Sequence, residues 1–335
     1  MSSVFFLGAT GYIGGAFLVA LKSAYPDLRI TALVRSVEKG AAVKAAGVQH
    51  IIVGSHEEAE KISAASAEAD IVINTADAGN LPLTRAIIAG LKERAKKGGK
   101  KPLLFHTGGA YVVYAGFEGK FTPAAEKVWN DNKEEDIEAI DASQPRRNVD
   151  LELFKADEEG TISCYIICPP VIYGVGKGPV NQISMPVPGM IRVALRKRQT
   201  VYVGEGTNKW SNVHIDDLMD LYLIVFKLAT SGRDPATSPY AKFYFASAGE
   251  HAWGDVAKDI APLLHKRGLV DNDKAVSVPL MEDIRLTKLT ASNSRSVPDR
   301  GFALGWKPMA KSLKETLEED IDAVVELEAT AGYSH

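Results

Sequence analysis

The sequence predicts a doubly wound α/β fold: a parallel sheet covered by helices on both faces, with a smaller lobe from the second half of the chain. Three observations predict it. Short, wholly apolar runs alternate with helix-like segments through the first half, the pattern of parallel strands buried on both faces. A glycine-rich turn joins the first apolar run directly to the first helical segment. After Tyr173-Gly174 the alternation gives way to a stretch rich in Gly, Pro and Asn and then to mixed segments.

The elements follow in order. Val4 to Leu7 is the first predicted strand, and a helical pattern runs from the glycine turn through Ala24. Strands are then expected at Ile30 to Val34, Val48 to Val53, Ile71 to Asn74 and Leu103 to Phe105, each separated by a helix. The helix from about Leu83 to Lys97 ends at Gly98-Gly99, so its lysines are a solvated helix terminus that suits the dipole. The acidic stretch Asp131 to Asp141 lacks the spacing of a calcium loop and reads as an exposed insertion. In the second half, a basic amphipathic helix ends near Arg198, and Val213-His214-Ile215-Asp216-Asp217-Leu218 restores a strand and a helix start, with Asp216 as its cap. The last helix carries Leu313, Leu317, Ile321 and Val324 on one stripe.

The bulk properties narrow the function classes. The chain has 335 residues, 46% hydrophobic and 24% charged, with a formal net charge of −3. That balance argues against nucleic acid or an anionic membrane as partner, and no apolar run reaches the roughly 18 residues of a membrane span. The first apolar run lacks preceding basic residues and is broken at once by glycines, so a cytoplasmic protein is expected. Its two cysteines, Cys164 and Cys168, fall about 13 Å apart on one face of a strand, too far for a disulfide. They read as buried apolar side chains. No metal-ligand spacing and no Ser-His-Asp signature is present, so no metal is expected.

Gly8-Ala9-Thr10-Gly11-Tyr12-Ile13-Gly14 lies between the first strand and the first helix. Glycines there make a tight turn, let the main chain approach a pyrophosphate and allow helix and strand to pack closely; the phosphates then sit on the helix N-terminus. This context predicts a Rossmann-type dinucleotide site. The spacing resembles that of the extended short-chain dehydrogenase/reductases, the group that includes nucleotide-sugar epimerases. The resemblance extends through Asp70-Ile71-Val72-Ile73-Asn74-Thr75-Ala76, Pro169-Pro170-Val171-Ile172-Tyr173-Gly174, the Val213 to Leu218 segment and Leu304-Gly305-Trp306-Lys307-Pro308. It is similar in particular to fungal epimerase/dehydratase-like members. It implies that Gly8, Thr10, Gly11, Tyr12, Ile13 and Gly14, with Thr75, Ala76, Thr107, Arg146, Pro169 and Val171, contact NAD(P), and that a homodimer forms. At the end of the second strand stand Arg35 and Ser36, where an acid would favour NAD. A guanidinium fork and a hydroxyl suit the 2′-phosphate of NADP, so NADP is the expected cofactor.

The catalytic positions depart from the family. The resemblance implies a Tyr followed four residues later by a Lys that lowers the phenol pKa. At that register the chain has Ala142 and Arg146, followed by Asp150, and it reads as lacking the pair. Gly108 stands where the helper serine is expected, leaving Thr107 as the nearest hydroxyl. The candidates for chemistry are therefore Thr107, Tyr111 and Tyr173. Asn181, Ser184, Met185 and Trp210 are candidate substrate contacts because they follow the strand exits. The expected division is residues 1–173 as the NAD(P)-binding domain, with 207–232 returning to it, and 174–206 with 233–335 as the substrate lobe. Two readings remain open: an NADP-dependent oxidoreductase or epimerase-like enzyme acting on a small carbonyl or hydroxyl compound, and a non-catalytic NADP(H)-sensing regulatory protein.

Overall fold

The computed structural model describes residues 2–280 and 285–330; the portions of the expected substrate lobe at 281–284 and 331–335 lie outside the described residues. In the first half, β1 (Ser3–Leu7), α1 (Tyr12–Ala24), β2 (Arg29–Val34), α2 (Val37–Ala45), β3 (His50–Val53), α3 (Ala59–Ser66), β4 (Ile71–Asn74), α4 (Leu81–Lys96) and β5 (Leu103–Thr107) alternate strictly. There follow β6 (Trp129–Asn130), α5 (Glu134–Glu138), α6 (Arg147–Glu158), β7 (Ser163–Cys168), β8 (Val171–Tyr173), α7 (Pro186–Lys197) and β9 (Val201–Val203). The remainder comprises β10 (Lys209–His214), α8 (Ile215–Thr230), β11 (Phe243–Phe245), β12 (Gly249–Ala252), α9 (Trp253–Lys266), β13 (Val276–Val278), α10 (Arg285–Ala291), β14 (Ser296–Val297), α11 (Asp299–Ala303) and α12 (Leu313–Thr330).

The central sheet has seven parallel strands in the order β11-β7-β5-β4-β1-β2-β3. Its strands are apolar on both faces because helices cover both. Phe5, Val72 and Leu104 point into a core with α4 and α6, whereas their neighbours Phe6, Ile73 and Phe105 point into a core with α1 and α8. The strand order reverses between β1 and β4, which opens a crevice at their carboxyl ends. A third core joins β8, α7, α9 and α12 around Trp210, Trp253 and Ile321.

Four expectations change. The expected division places β11 in the smaller lobe, yet it pairs with β7 as the edge of the central sheet. Conversely, β10 does not return to that sheet: it pairs with β8 and β12 in a separate three-stranded sheet, and only the following α8 packs on α1. The acidic stretch is only partly an exposed insertion. Asp131 is fully buried, its carboxylate accepting the Phe245 and Arg300 backbone N–H groups at 2.9 Å each. It pins the segment to the sheet edge, which local charge counting does not reveal. A smaller change concerns α8, whose N-terminus is capped by His214 Nδ1 accepting from the Asp216 N–H at 3.1 Å; Asp216 is not the cap. The two later landmarks grip each other, since Trp306 Nε1 donates to the Asp217 carbonyl at 2.8 Å. Both cysteines are buried and free, as expected. Among the described residues, no helix is long and apolar enough to cross a membrane.

Candidate functional site

Two connected spaces open at the sheet's switch point. The outer one, of about 300 Å³, is lined by Gly8, Thr10, Gly11, Arg35, Lys39, Gly54, His56, Thr75, Ala76, Val180 and Asn181. The inner one, of about 710 Å³, runs from Gly11, Tyr12 and Ile13 along the β5 and β7 exits to α7, α10 and α12. Gly11, Thr75, Ala76 and Asn181 border both, so the two form one channel. Among the described residues, no carboxylate side chain lines either space.

The loop geometry explains its glycines. Gly8 takes φ 87°, in the left-handed region that other residues avoid. A Cβ on Gly14 would lie 2.2 Å from the Gly8 carbonyl oxygen and 2.3 Å from Thr75 Oγ1. Thr75 Oγ1 donates to the Leu7 carbonyl at 2.8 Å, locking the end of β4 against the turn. The N-terminus of α1 has no side-chain cap and no acidic residue in its first turn. Its leading N–H groups and its dipole therefore favour an anion, and this cradle fits a dinucleotide pyrophosphate.

Of the residues expected to contact the cofactor, Gly8, Thr10, Gly11, Tyr12, Ile13, Thr75, Ala76, Arg35, Arg146, Pro169 and Val171 border the channel, whereas Gly14 and Thr107 line neither space. Arg146 has a left-handed backbone, φ 71°, at the start of α6, and its guanidinium occupies the place of any side chain at Gly109. A non-glycine residue in that region is strained and is held only by its surroundings. Ser36 does not line the outer space; its hydroxyl oxygen caps α2, accepting the Lys39 N–H at 3.4 Å.

The expected catalytic set divides. Tyr111 lines the inner cavity, on a short 3-10 turn after β5, stacked between Tyr114 at 4.9 Å and Trp210 at 6.1 Å between centroids. Thr107 does not reach the cavity: it is 6% exposed, and its hydroxyl meets the Tyr222 hydroxyl at 2.6 Å beneath the sheet. Tyr173 is also turned away, its hydroxyl donating to the Lys311 carbonyl at 3.0 Å in a separate surface hollow. A Tyr-x-x-x-Lys spacing does occur once, at Tyr173 and Lys177, which corrects the reading of the chain as free of it. It is not a catalytic pair, because Lys177 is exposed on the turn after β8 and pairs with Asp216 at 2.8 Å. Position 142 is exposed and precedes α6, so no proton donor replaces the family tyrosine there.

The four substrate candidates, Asn181, Ser184, Met185 and Trp210, all line the inner cavity. Trp210 is anchored by Nε1 donating to the Ser292 carbonyl at 2.9 Å. The Ser184 hydroxyl is buried without a partner. Burial, with the Asp320 carboxylate adding to it, pushes the Tyr12 phenol up; its hydroxyl donates to the Gly174 carbonyl at 2.7 Å. The sequence reading missed Lys39 and His56 in the outer space and Arg192, Lys288 and Leu327 in the inner one. Lys39 had a signal, standing one helical turn beyond Arg35. The others reach the site only through long-range packing.

An uncapped helix behind a glycine turn, at the switch point of a parallel sheet, defines a nucleotide-binding α/β protein. Family models agree: residues 8–144 match the NAD(P)H-binding family and residues 147–237 the NAD dependent epimerase/dehydratase family. The chain belongs to the NAD-dependent epimerase/dehydratase family of extended short-chain dehydrogenase/reductases. It is 30% identical over 336 residues to the oxidase ucsJ of an Acremonium species, spanning 94% of this chain and 95% of that protein. In fold it resembles the dTDP-glucose 4,6-dehydratase DesIV of Streptomyces venezuelae, solved with NAD bound, at a TM-score of 0.68 and 16% identity over 99% of each chain. It also resembles the UDP-glucose 4-epimerase of Thermotoga maritima, solved with UDP-glucose, at a TM-score of 0.66 and 14% identity over 97% of this chain and 99% of that one.

Proposed function

We propose that the chain is an NADP-dependent oxidoreductase acting on a carbonyl or hydroxyl compound held in the inner cavity. One observation carries this reading: an outer space rimmed by Arg35, Lys39 and His56, with no carboxylate among the described residues that line it, continues into a largely apolar cavity across Gly11, Thr75 and Ala76. A dinucleotide 2′-phosphate needs cations and is repelled by the acidic residue that binds a 2′-hydroxyl. When bound, the nicotinamide ring supplies the hydride acceptor or donor.

The chain's own residues do the rest. The glycine loop and the α1 terminus hold the pyrophosphate, while Arg35 and Lys39 hold the 2′-phosphate. Arg146, at the inner end beside Gly109, places positive charge next to the ribose of the reacting ring. Tyr111 gives or takes the proton at the substrate oxygen, being the phenol on the cavity wall next to the β5 exit. The oxidase name of the Acremonium relative supports redox chemistry at this site. A cytoplasmic setting and the homodimer implied by the family remain part of the proposal; light scattering on the purified protein checks the dimer.

The test is titration of the protein with NADPH and NADH by cofactor fluorescence, repeated with Arg35→Ala. A charge-assisted hydrogen bond contributes about 1.5–3 kcal/mol, so the variant is expected to bind NADPH roughly 10- to 100-fold more weakly and NADH almost as before. Equal loss for both removes Arg35 from its role. Following NADPH consumption with a panel of carbonyl compounds then separates an enzyme from a sensing protein, for which cofactor binds and no compound is turned over.

A further inference from the structure

The charge on the inner cavity's wall bears on which compounds can enter, given that this is a reductase site as proposed above. The wall is largely apolar, with Pro169, Val171, Ile183 and Leu289 on it, yet it also carries three cationic side chains, Arg146, Arg192 and Lys288. Among the described residues no carboxylate lines it. The cations fall in two places. Arg146 stands beside Gly109, next to the β5 exit. Arg192 belongs to α7 and Lys288 to α10, and α7 packs against both α10 and α12, so these two lie on the wall built by the lobe helices. Arg192 Nε donates to Glu328 of α12 at 2.8 Å. That contact holds the guanidinium by one edge, and its terminal nitrogens have no partner among the described residues. Lys288 is exposed, and no described carboxylate pairs with it.

The start of α7 lies on the same wall, through Ser184, Met185 and Pro186. It has no side-chain cap and no acidic residue in its first turn, so its dipole favours negative charge. Pro186 and Pro188 remove two N–H groups from that turn, which leaves hydrogen bonding to side chains. One such group is in place: the Ser184 hydroxyl is 6% exposed and buried without a partner. A buried hydroxyl without a partner is costly, and a ligand oxygen relieves that cost. Two cations against the single Glu328 leave this side of the cavity net positive, in surroundings of low polarity where an opposite charge is felt more strongly than in water. We infer that the substrate carries an anionic oxygen group, a carboxylate or a phosphate. Ser184, Arg192, Lys288 and the start of α7 receive it, while the reacting carbon lies toward Gly109 and Arg146. A neutral compound of the same shape is a poor ligand.

Calorimetric titration of the NADP-loaded protein tests this with matched probes: para-formylbenzoate and its methyl ester, levulinate and its methyl ester, and para-formylphenyl phosphate. On each scaffold the anion is expected to bind at least tenfold more tightly than the ester. Binding confined to the carboxylates marks a carboxylic acid substrate, and binding confined to the phosphate marks a phosphorylated one; either result upholds the site. Lys288→Gln should weaken the anions roughly 10- to 100-fold, the range of one charge-assisted hydrogen bond, and Ser184→Ala several-fold. Raising the salt to 1 M should weaken the anions and leave any ester binding unchanged, because only the former depends on charge. Arg192→Gln strips Glu328 of its partner, so Lys288→Gln on the exposed face of the wall carries the test if that protein fails to fold. Esters that bind as tightly as the anions overturn the inference, as do anions that fail to bind or that ignore both Lys288→Gln and Ser184→Ala. NADPH titration of the same samples separates the two proposals. Loss of cofactor binding would sink the reductase reading, while anions titrated into the cofactor-free protein, with Lys288→Gln alongside, would still report on this site.

Discussion

Gly14→Ala is the perturbation that most directly probes the cofactor cradle. The new methyl carbon would stand 2.2 Å from the Gly8 carbonyl oxygen and 2.3 Å from Thr75 Oγ1, where ordinary contact needs about 3.5 Å. Neither neighbour can yield easily: Gly8 is in a turn closed by the Gly11 N–H at 2.8 Å, and Thr75 Oγ1 is tied to Leu7. The start of α1 must therefore draw away from the turn by more than about 1 Å, costing roughly 1–3 kcal/mol of stability by overpacking. The same shift breaks one or two charge-assisted bonds to the pyrophosphate, about 3 kcal/mol together, or on the order of 100-fold in affinity. Fluorescence titration should show NADPH and NADH weakened alike, with the melting temperature lower by several degrees. Gly232→Ala is the control: it also has a positive φ, 68°, but nothing lies within 4 Å of the added carbon, so stability alone should change. If Gly14→Ala binds both cofactors as the unaltered protein does, the loop is a structural turn and the cradle argument fails.

Other expected outcomes follow from the interior. Thr107→Val removes the buried bond to Tyr222 and should cost about 1–2 kcal/mol in chemical denaturation while leaving NADPH affinity intact; loss of affinity would return Thr107 to the site. Arg147, 1% exposed, faces Asp150 at 3.7 Å, and Arg147→Met leaves that carboxyl unpaired, costing about 3–5 kcal/mol. Adding Asp150→Leu should recover much of that loss; a double variant as unstable as the single one would show the pair is not what matters. Burial raises the Asp320 carboxyl to about 7, against an ordinary value near 4, and one of its oxygens has no partner. The folded state then holds a proton that the unfolded state releases, so this group's contribution is fully present below about pH 4 and is lost as pH rises toward 7, by at most about 4 kcal/mol. Unfolding at pH 4.5 and 7.5 should show Asp320→Asn losing less stability over that interval than the unaltered protein; equal losses would mean the carboxyl is already ionised in the fold.

The sequence by itself determined the doubly wound sheet, the cofactor turn and most of its cradle. The reason is that these are local. Runs such as Ile71 to Asn74 are apolar on every residue because both faces are covered, and Gly8 and Gly14 are demanded by backbone geometry within one turn. Arg35 was legible for the same reason, standing at the end of a strand whose position in the fold is known once the turn is recognised.

Side-chain direction at the strand exits was decided only by tertiary structure. Thr107 and Tyr111 are four residues apart, and both were reasonable chemical candidates. The bend at Gly108-Gly109 sends one into the core toward Tyr222 and the other into the cavity. Tyr173 is drawn the other way by the Lys311 carbonyl, 138 residues distant in the chain. β11 joins the central sheet rather than the lobe because β7 offers it an open edge, which no pattern within Phe243–Phe245 announces. Arg192 and Leu327 come to the cavity because α7 and α12 pack against each other, a contact between helices more than 100 residues apart. Periodicity and turn chemistry report what a segment does with its immediate neighbours. Which side chains meet over the reacting atoms depends on how distant segments bury their apolar faces together, and that is settled only when the whole chain packs.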